Sequence, residues 1–206
     1  MSEKYFKADG RCVTSYAKSE VYKQSRKYFK LDEENLRKIT IEDQYNNLKK
    51  YLCTNSDISL SKFEDEINKI IQSLESEKDY KNILNGAYIP FILPKSSSND
   101  IGTNISDTYL PALSKAYKNF FPDYEFKNHC NEKLTNKISI WEKSRYDKIV
   151  QRVEKDYLIG LLFPNLNEFS FPAALETIEN LPNKFILAGG YEIIASLVGN
   201  PSLLRR

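Results

Sequence analysis

One histidine, His129, stands beside Cys130. Every imidazole-dependent mechanism would have to run through it. Neighbouring residues on a helix diverge by about 100°, so Cys130 is a poor hydrogen-bond partner for His129. A thiolate–imidazole pair would need Cys12 or Cys53 brought in from elsewhere in the chain. The expected arrangement is a surface histidine beside a half-buried cysteine. The same four residues make a weak zinc set, because the sequence has no C-x-x-C or H-x-x-x-H pair to make chelation local.

The segment Pro122-Asp-Tyr-Glu-Phe-Lys127 carries the letters of a Mg²⁺-dependent nuclease core. There the carboxylates Asp123 and Glu125 would bind the metal and Lys127 would steady the nucleophile. That chemistry needs Glu125 and Lys127 on one face of a strand, with the other acid on a second strand. Asp123 is only two residues from Glu125, so a capping turn between helices is the simpler expectation.

Phe185-Ile-Leu-Ala-Gly189-Gly190-Tyr-Glu192 resembles a strand, a Gly-Gly turn and a helix start, a geometry that can offer N–H groups to phosphate. It lacks a phosphate-loop signature, and Glu192 in the first turn would repel an anion. A tight corner between two apolar segments is expected instead.

Tyr16, Lys18, Tyr22, Lys23, Arg26, Lys27, Tyr28, Phe29 and Lys30 interleave rings and cations as a single-stranded nucleic-acid platform does. From Met1 to Lys50, however, twelve basic residues face eight acidic ones, an excess of only four. An ordinary amphipathic helix accounts for the pattern as well.

The whole chain of 206 residues has a formal net charge of +2, so no global field draws it to nucleic acid or to an anionic membrane. Three widely spaced cysteines argue for a reducing compartment rather than a disulfide framework. Met1 to Lys7 leads into polar sequence without a signal-peptide core. No stretch supplies the roughly 20 apolar residues that a membrane span needs. A cytoplasmic protein is expected, and export by a signal-peptide-independent route stays compatible with the sequence. The richness in Lys, Asn, Ile and Tyr points to an AT-rich microbe.

The elements that must position these residues read mostly as helices. A stripe of Val13, Tyr16, Ala17, Val21 and Tyr28 predicts a helix from Val13 to Phe29. Leu31 to Leu36 reads as a turn into another helix. Thr40 predicts an N-cap, with Glu42 and Asp43 at the positive end of the helix that follows. Ser61-Lys-Phe-Glu64 fits a capping box, followed by an apolar face of Phe63, Ile67, Ile70, Ile71 and Leu74. A shorter helix is predicted from Lys78 to Leu84, stopped by Asn85-Gly86.

Pro90 and Pro94 make the segment near 87–93 extended, a short edge strand at most. Residues 96–102 form the expected flexible loop. Helix is predicted to resume near Asp107, with Pro111 tolerated because it lies close to the first turn. Leu134, Ile138, Trp141, Ile149, Val153 and Tyr157 predict one long helix that ends before Pro164, interrupted on that face by Arg145.

From 158 to the end only seven residues are charged. This apolar C-terminal part, 158–204, is therefore expected to be helical and buried, in the chain's own core or in a partner. Ser170 with Pro172 starts one helix there, Tyr191 to Val198 forms another, and Lys184 to Gly190 fits helix or strand.

The expected fold class is mostly α, an irregular multi-helix bundle forming a single globular domain over 1–206. The favoured function is a non-catalytic protein–protein interaction or adaptor protein, as an accessory subunit or a host-directed effector. No cofactor or metal is expected, and the expected partner is another protein. The alternatives are the Mg²⁺-dependent carboxylate enzyme at Asp123, Glu125 and Lys127, and the nucleic-acid binder at 16–30. The residues expected to contact a partner are Tyr16, Tyr22, Lys23, Arg26, Lys27 and Trp141.

Overall fold

Helix α1 (Ile41–Tyr51) begins as the sequence predicts. The Thr40 hydroxyl accepts from Asp43 N–H at 3.0 Å, and the Asp43 carboxylate accepts from Thr40 N–H at 3.2 Å, so two otherwise orphaned donors are satisfied reciprocally. The computed structural model describes residues 3–22, 39–130, 132–142 and 144–204. Over these the protein is mostly helical, with one two-stranded sheet.

Helix α2 (Leu60–Glu75) starts two residues earlier than expected. Ser59, not Ser61, is the cap, accepting from Lys62 N–H at 3.2 Å. Its predicted face holds: Phe63, Ile67 and Leu74 are buried, and Ile70 and Ile71 half-buried. A 3-10 turn (Lys81–Asn85) follows, then strand β1 (Ile89–Leu93), all of it buried.

The next helix begins at Ile101 rather than near Asp107, so Pro111 falls well inside the helical run. Helix α3 (Ile101–Asn104) and helix α4 (Leu110–Phe120) are joined by a π-helical turn (Ile105–Tyr109), in which Leu110 N–H reaches back to Ile105 C=O. The reason is steric. Pro111 has no N–H, and its ring would press on the carbonyl one α-turn back; the wider turn makes room.

Residues 94–100 are held by several hydrogen bonds. Ser96 N–H donates to Val153 C=O, the Asn104 side chain bonds Ser97, Ser98 and the Tyr191 hydroxyl, and Asp100 caps α3. Gly102 lies beneath the Leu134 carbonyl, and a Cβ there would come within 1.8 Å of that oxygen.

The long helix expected from Leu134 to Tyr157 is absent. Residues 122–130 and 132–142 are irregular, with Asn136 in the left-handed region at φ 58°. Leu134, Ile138 and Ile140 pack on the core from this irregular chain. Among the described residues of that span only Asp147–Lys155 is helical (α5), and Leu158–Leu162, expected to end that helix, is strand β2. It pairs antiparallel with β1, Phe91 opposite Gly160. Gly160 is required because a Cβ there would lie 2.5 Å from the Phe91 ring.

In the tail, helix α6 (Phe171–Asn180) has the predicted Ser170 cap and Pro172 in its first turn, and helix α7 (Gly190–Gly199) covers the predicted 191–198. A 3-10 turn (Pro201–Leu204) follows. Residues 184–189 are irregular, neither the helix nor the strand that the sequence suggested. The α7 helix packs on β1, α1 and α4, and Tyr191 stacks on Tyr109 with ring centroids 4.7 Å apart.

Two apolar clusters result. The larger joins α1, α2, β1, the α3–α4 run, α5 and α7. The smaller brings Phe6 and Cys12 against Leu74, Ile83, Leu181 and Phe185. The helix expected from Val13 is also absent in the described part, up to Tyr22. Backbone donors there turn to the tail: Ser19 N–H donates to the Glu176 carboxylate and Tyr22 N–H to Glu168 C=O, and Val21 bridges Phe169. The rest of that predicted helix, and the predicted turn at Leu31 to Leu36, lie outside the described residues.

Candidate functional site

The residues that the sequence marked for chemistry are not brought together. Cys12 is buried in the smaller cluster and Cys53 in the larger, and burial pushes both thiols up to about 12. His129 and Cys130 are exposed on irregular chain. Asp123, Glu125 and Lys127 are exposed on an irregular stretch with no strand among them. Among the described residues no three His, Cys, Asp or Glu side chains converge as a metal site, and no helix is long and apolar enough to cross a membrane.

In the basic–aromatic segment, Tyr16 is half-buried. Its ring stacks on Tyr5 at 6.0 Å and its hydroxyl donates to Lys4 C=O. Tyr22 is half-buried as well. Lys23, Arg26 and Lys27 lie outside the described residues. Trp141 is 58% exposed, not packed on a helix face, and meets the exposed Phe171 edge to face at 5.8 Å.

The Gly189-Gly190 corner is the close approach expected of it. A Cβ on Gly189 would lie 2.5 Å from the Tyr146 ring. Its N–H is already taken: Glu192 Oε2 accepts from Gly189 N–H at 2.9 Å and from the Tyr146 hydroxyl at 2.9 Å. The carboxylate fills the place an anion would have occupied. Burial pushes the Glu192 carboxyl above the usual range, and its Oε1 is buried without a partner among the described residues. One turn on, the Ser196 hydroxyl is equally unpartnered.

A groove of about 1040 Å³ is lined by residues of both clusters. All of β2 lines it, together with Ile70 of α2, the connection 184–188, and Ile193 and Leu197 of α7. Its walls are chiefly apolar. The Lys69 and Lys184 side chains border it, and Glu192 and Ser196 belong to its wall. Every residue of β2 is half-buried, whereas every residue of β1 is buried; β2 lies between the groove that it lines and helix α2, which packs against it.

The register fixes which backbone groups of β2 turn away from β1. The Ile92 carbonyl accepts from the Cys53 thiol, and Pro90, two residues before it, has no N–H to give a ladder. Both therefore turn away from β2, since strand proline sits where its nitrogen faces outward. Residues directly opposite in an antiparallel pair share the same bonding state. Ile159, opposite Ile92, and Leu161, opposite Pro90, thus turn away from β1. Their N–H and C=O groups form an outer edge with no hydrogen-bond partner among the described residues.

This edge was not found from the sequence, although a signal existed. Leu158-Ile-Gly-Leu-Leu162 is a short apolar run with a central glycine, bounded by Asp156 and Pro164, a pattern that suits a strand at least as well as a helix end. Comparison with protein-family models, with curated proteins and with solved structures finds no match for this chain.

Proposed function

We propose that the protein is a non-catalytic protein–protein interaction module, an adaptor whose binding site is the groove along β2. The observation that carries this reading is the groove itself: about 1040 Å³, walled mainly by apolar side chains, with Ile193 on its rim 45% exposed. Contiguous apolar surface of this kind on a protein otherwise rich in charge is where partners bind. Trp141 and Phe171 form a second exposed aromatic contact of the type enriched in binding hot spots.

The test is selection of binders from a random peptide library on the immobilised full chain, with each recovered peptide then measured against Ile193→Glu. That side chain is exposed, so the change adds a charge to the rim without opening the core. Binding weakened at least tenfold at an unchanged melting temperature supports the reading. A selection that yields no peptide preferring the wild type over Ile193→Glu overturns it.

A further inference from the structure

We infer that the partner enters this groove as an extended strand and adds to β2 as the third strand of the sheet. The inference rests on the interaction reading above and names the chemistry of the occupant. An apolar groove alone would suit a lipid as well as a protein. The outer edge of β2 decides between them. Ile159 and Leu161 present an N–H and a C=O each, spaced two residues apart and turned from β1. Only another peptide backbone repeats donors and acceptors at that spacing. A hydrocarbon chain would leave all four groups dry and unpaired, at a cost comparable to a lost hydrogen bond for each.

The sequence of β2 agrees. Proteins blunt free strand edges with lysine, proline, bulges or a covering element. Leu158-Ile-Gly-Leu-Leu162 has no charge and no proline, and its pairing with β1 runs through five consecutive residues without a bulge. Side chains of an added strand would alternate between the two faces of the sheet, and the mainly apolar walls, with Ile70, Ile186, Leu187 and Leu197 among them, favour apolar residues. A second copy of this chain fits the edge less well. Its own β2 lies in an identical groove, and two recessed edges cannot meet.

The experiment uses the full chain and a peptide recovered in the library selection. Each backbone amide of the peptide is N-methylated in turn, which removes one donor and leaves the side chains intact. Alternate positions should lose at least tenfold in affinity while the positions between them change less than threefold. Amide exchange read by NMR supplies a second measurement with no altered residue. The Ile159 and Leu161 amides should exchange at least tenfold more slowly when peptide is bound, while Gly160, paired with Phe91, is protected already.

Uniform sensitivity to N-methylation, or no protection at Ile159 and Leu161, overturns strand addition and leaves the groove as a binding site. Failure to recover any peptide removes the underlying reading as well. Sedimentation showing a dimer that Leu161→Pro dissociates would assign the edge to a second copy and overturn the inference.

Discussion

Arg145 falls on the apolar stripe read from the sequence and has no carboxylate partner among the described ion pairs, yet replacing it should be among the costlier single changes outside the core. Its guanidinium donates to four carbonyls at the end of α6 and just beyond. Nη1 reaches Leu181, Pro182 and Phe185 at 2.9, 3.0 and 3.2 Å, and Nη2 reaches Glu179 at 3.0 Å. The last carbonyls of a helix have no intrahelical donor, and a cation there also meets the negative end of the helix dipole. Nη1 has two hydrogens for three acceptors, so the set amounts to about three bonds. Hydrogen bonds to a charged group contribute about 1.5–3 kcal/mol each. Arg145 is half-buried, and water replaces part of what is lost, so about 1 kcal/mol per bond is reasonable. Arg145→Met should therefore cost about 3 kcal/mol, or about 6–12 °C in melting temperature for a chain of this size. Arg145→Lys, which keeps the charge and loses the planar fork, should cost about half as much. Urea unfolding followed by circular dichroism measures both, with an unchanged slope as the check that the denatured state is the same. A loss below about 0.5 kcal/mol for Arg145→Met would show that the four carbonyls are served equally well by water and refute the assignment.

Two further outcomes follow from single residues. The Glu192 carboxyl is raised by burial, so the folded state holds a proton that the unfolded chain releases near pH 4.5. Its stabilising contribution is full below that pH and is lost as pH rises through the folded value. Glu192→Gln keeps a carbonyl to accept from Tyr146 or Gly189 and cannot ionise; denaturation across pH 4 to 8 should give a flatter stability curve than wild type, and an identical slope would contradict the burial argument. Trp141→Ala should cost only about 1 kcal/mol, because the ring is 58% exposed and its main described contact is the Phe171 edge; a loss of about 3–5 kcal/mol in urea would instead return the residue to the core.

What the sequence disclosed was local. Thr40 with Asp43, Ser170 with Pro172, and the face from Phe63 to Leu74 are decided by residues within a few positions of one another, and the structure has them as read. What it hid depends on distant pairing. Leu134, Ile138 and Trp141 sit at helical spacing, but the backbone there turns through Asn136 and sends Ile138 and Ile140 to the core while Trp141 faces solvent. Leu158–Leu162 is apolar at every position, so its periodicity could not separate strand from helix; β1 as its neighbour does. Of the groove, the sequence disclosed that the tail is apolar, and nothing more, because an outer edge exists only once Ile92 has met Ile159. Glu192 was seen as a charge that would exclude anions, whereas it caps its own corner.

The smaller apolar cluster has a consequence for how this protein is made. Phe6 and Cys12 are synthesised well before Leu181 and Phe185, which are among the side chains that cover them. At about 5–20 residues per second, synthesis of the intervening chain takes roughly 9 to 35 s. Through that interval these two residues cannot reach their final surroundings, although α1 and α2 already have the local signals to form. The nascent chain therefore carries an uncovered apolar segment throughout that interval, in which a ribosome-bound chaperone would find a binding site around Phe6 and Cys12 rather than in the more apolar stretch that follows Tyr157.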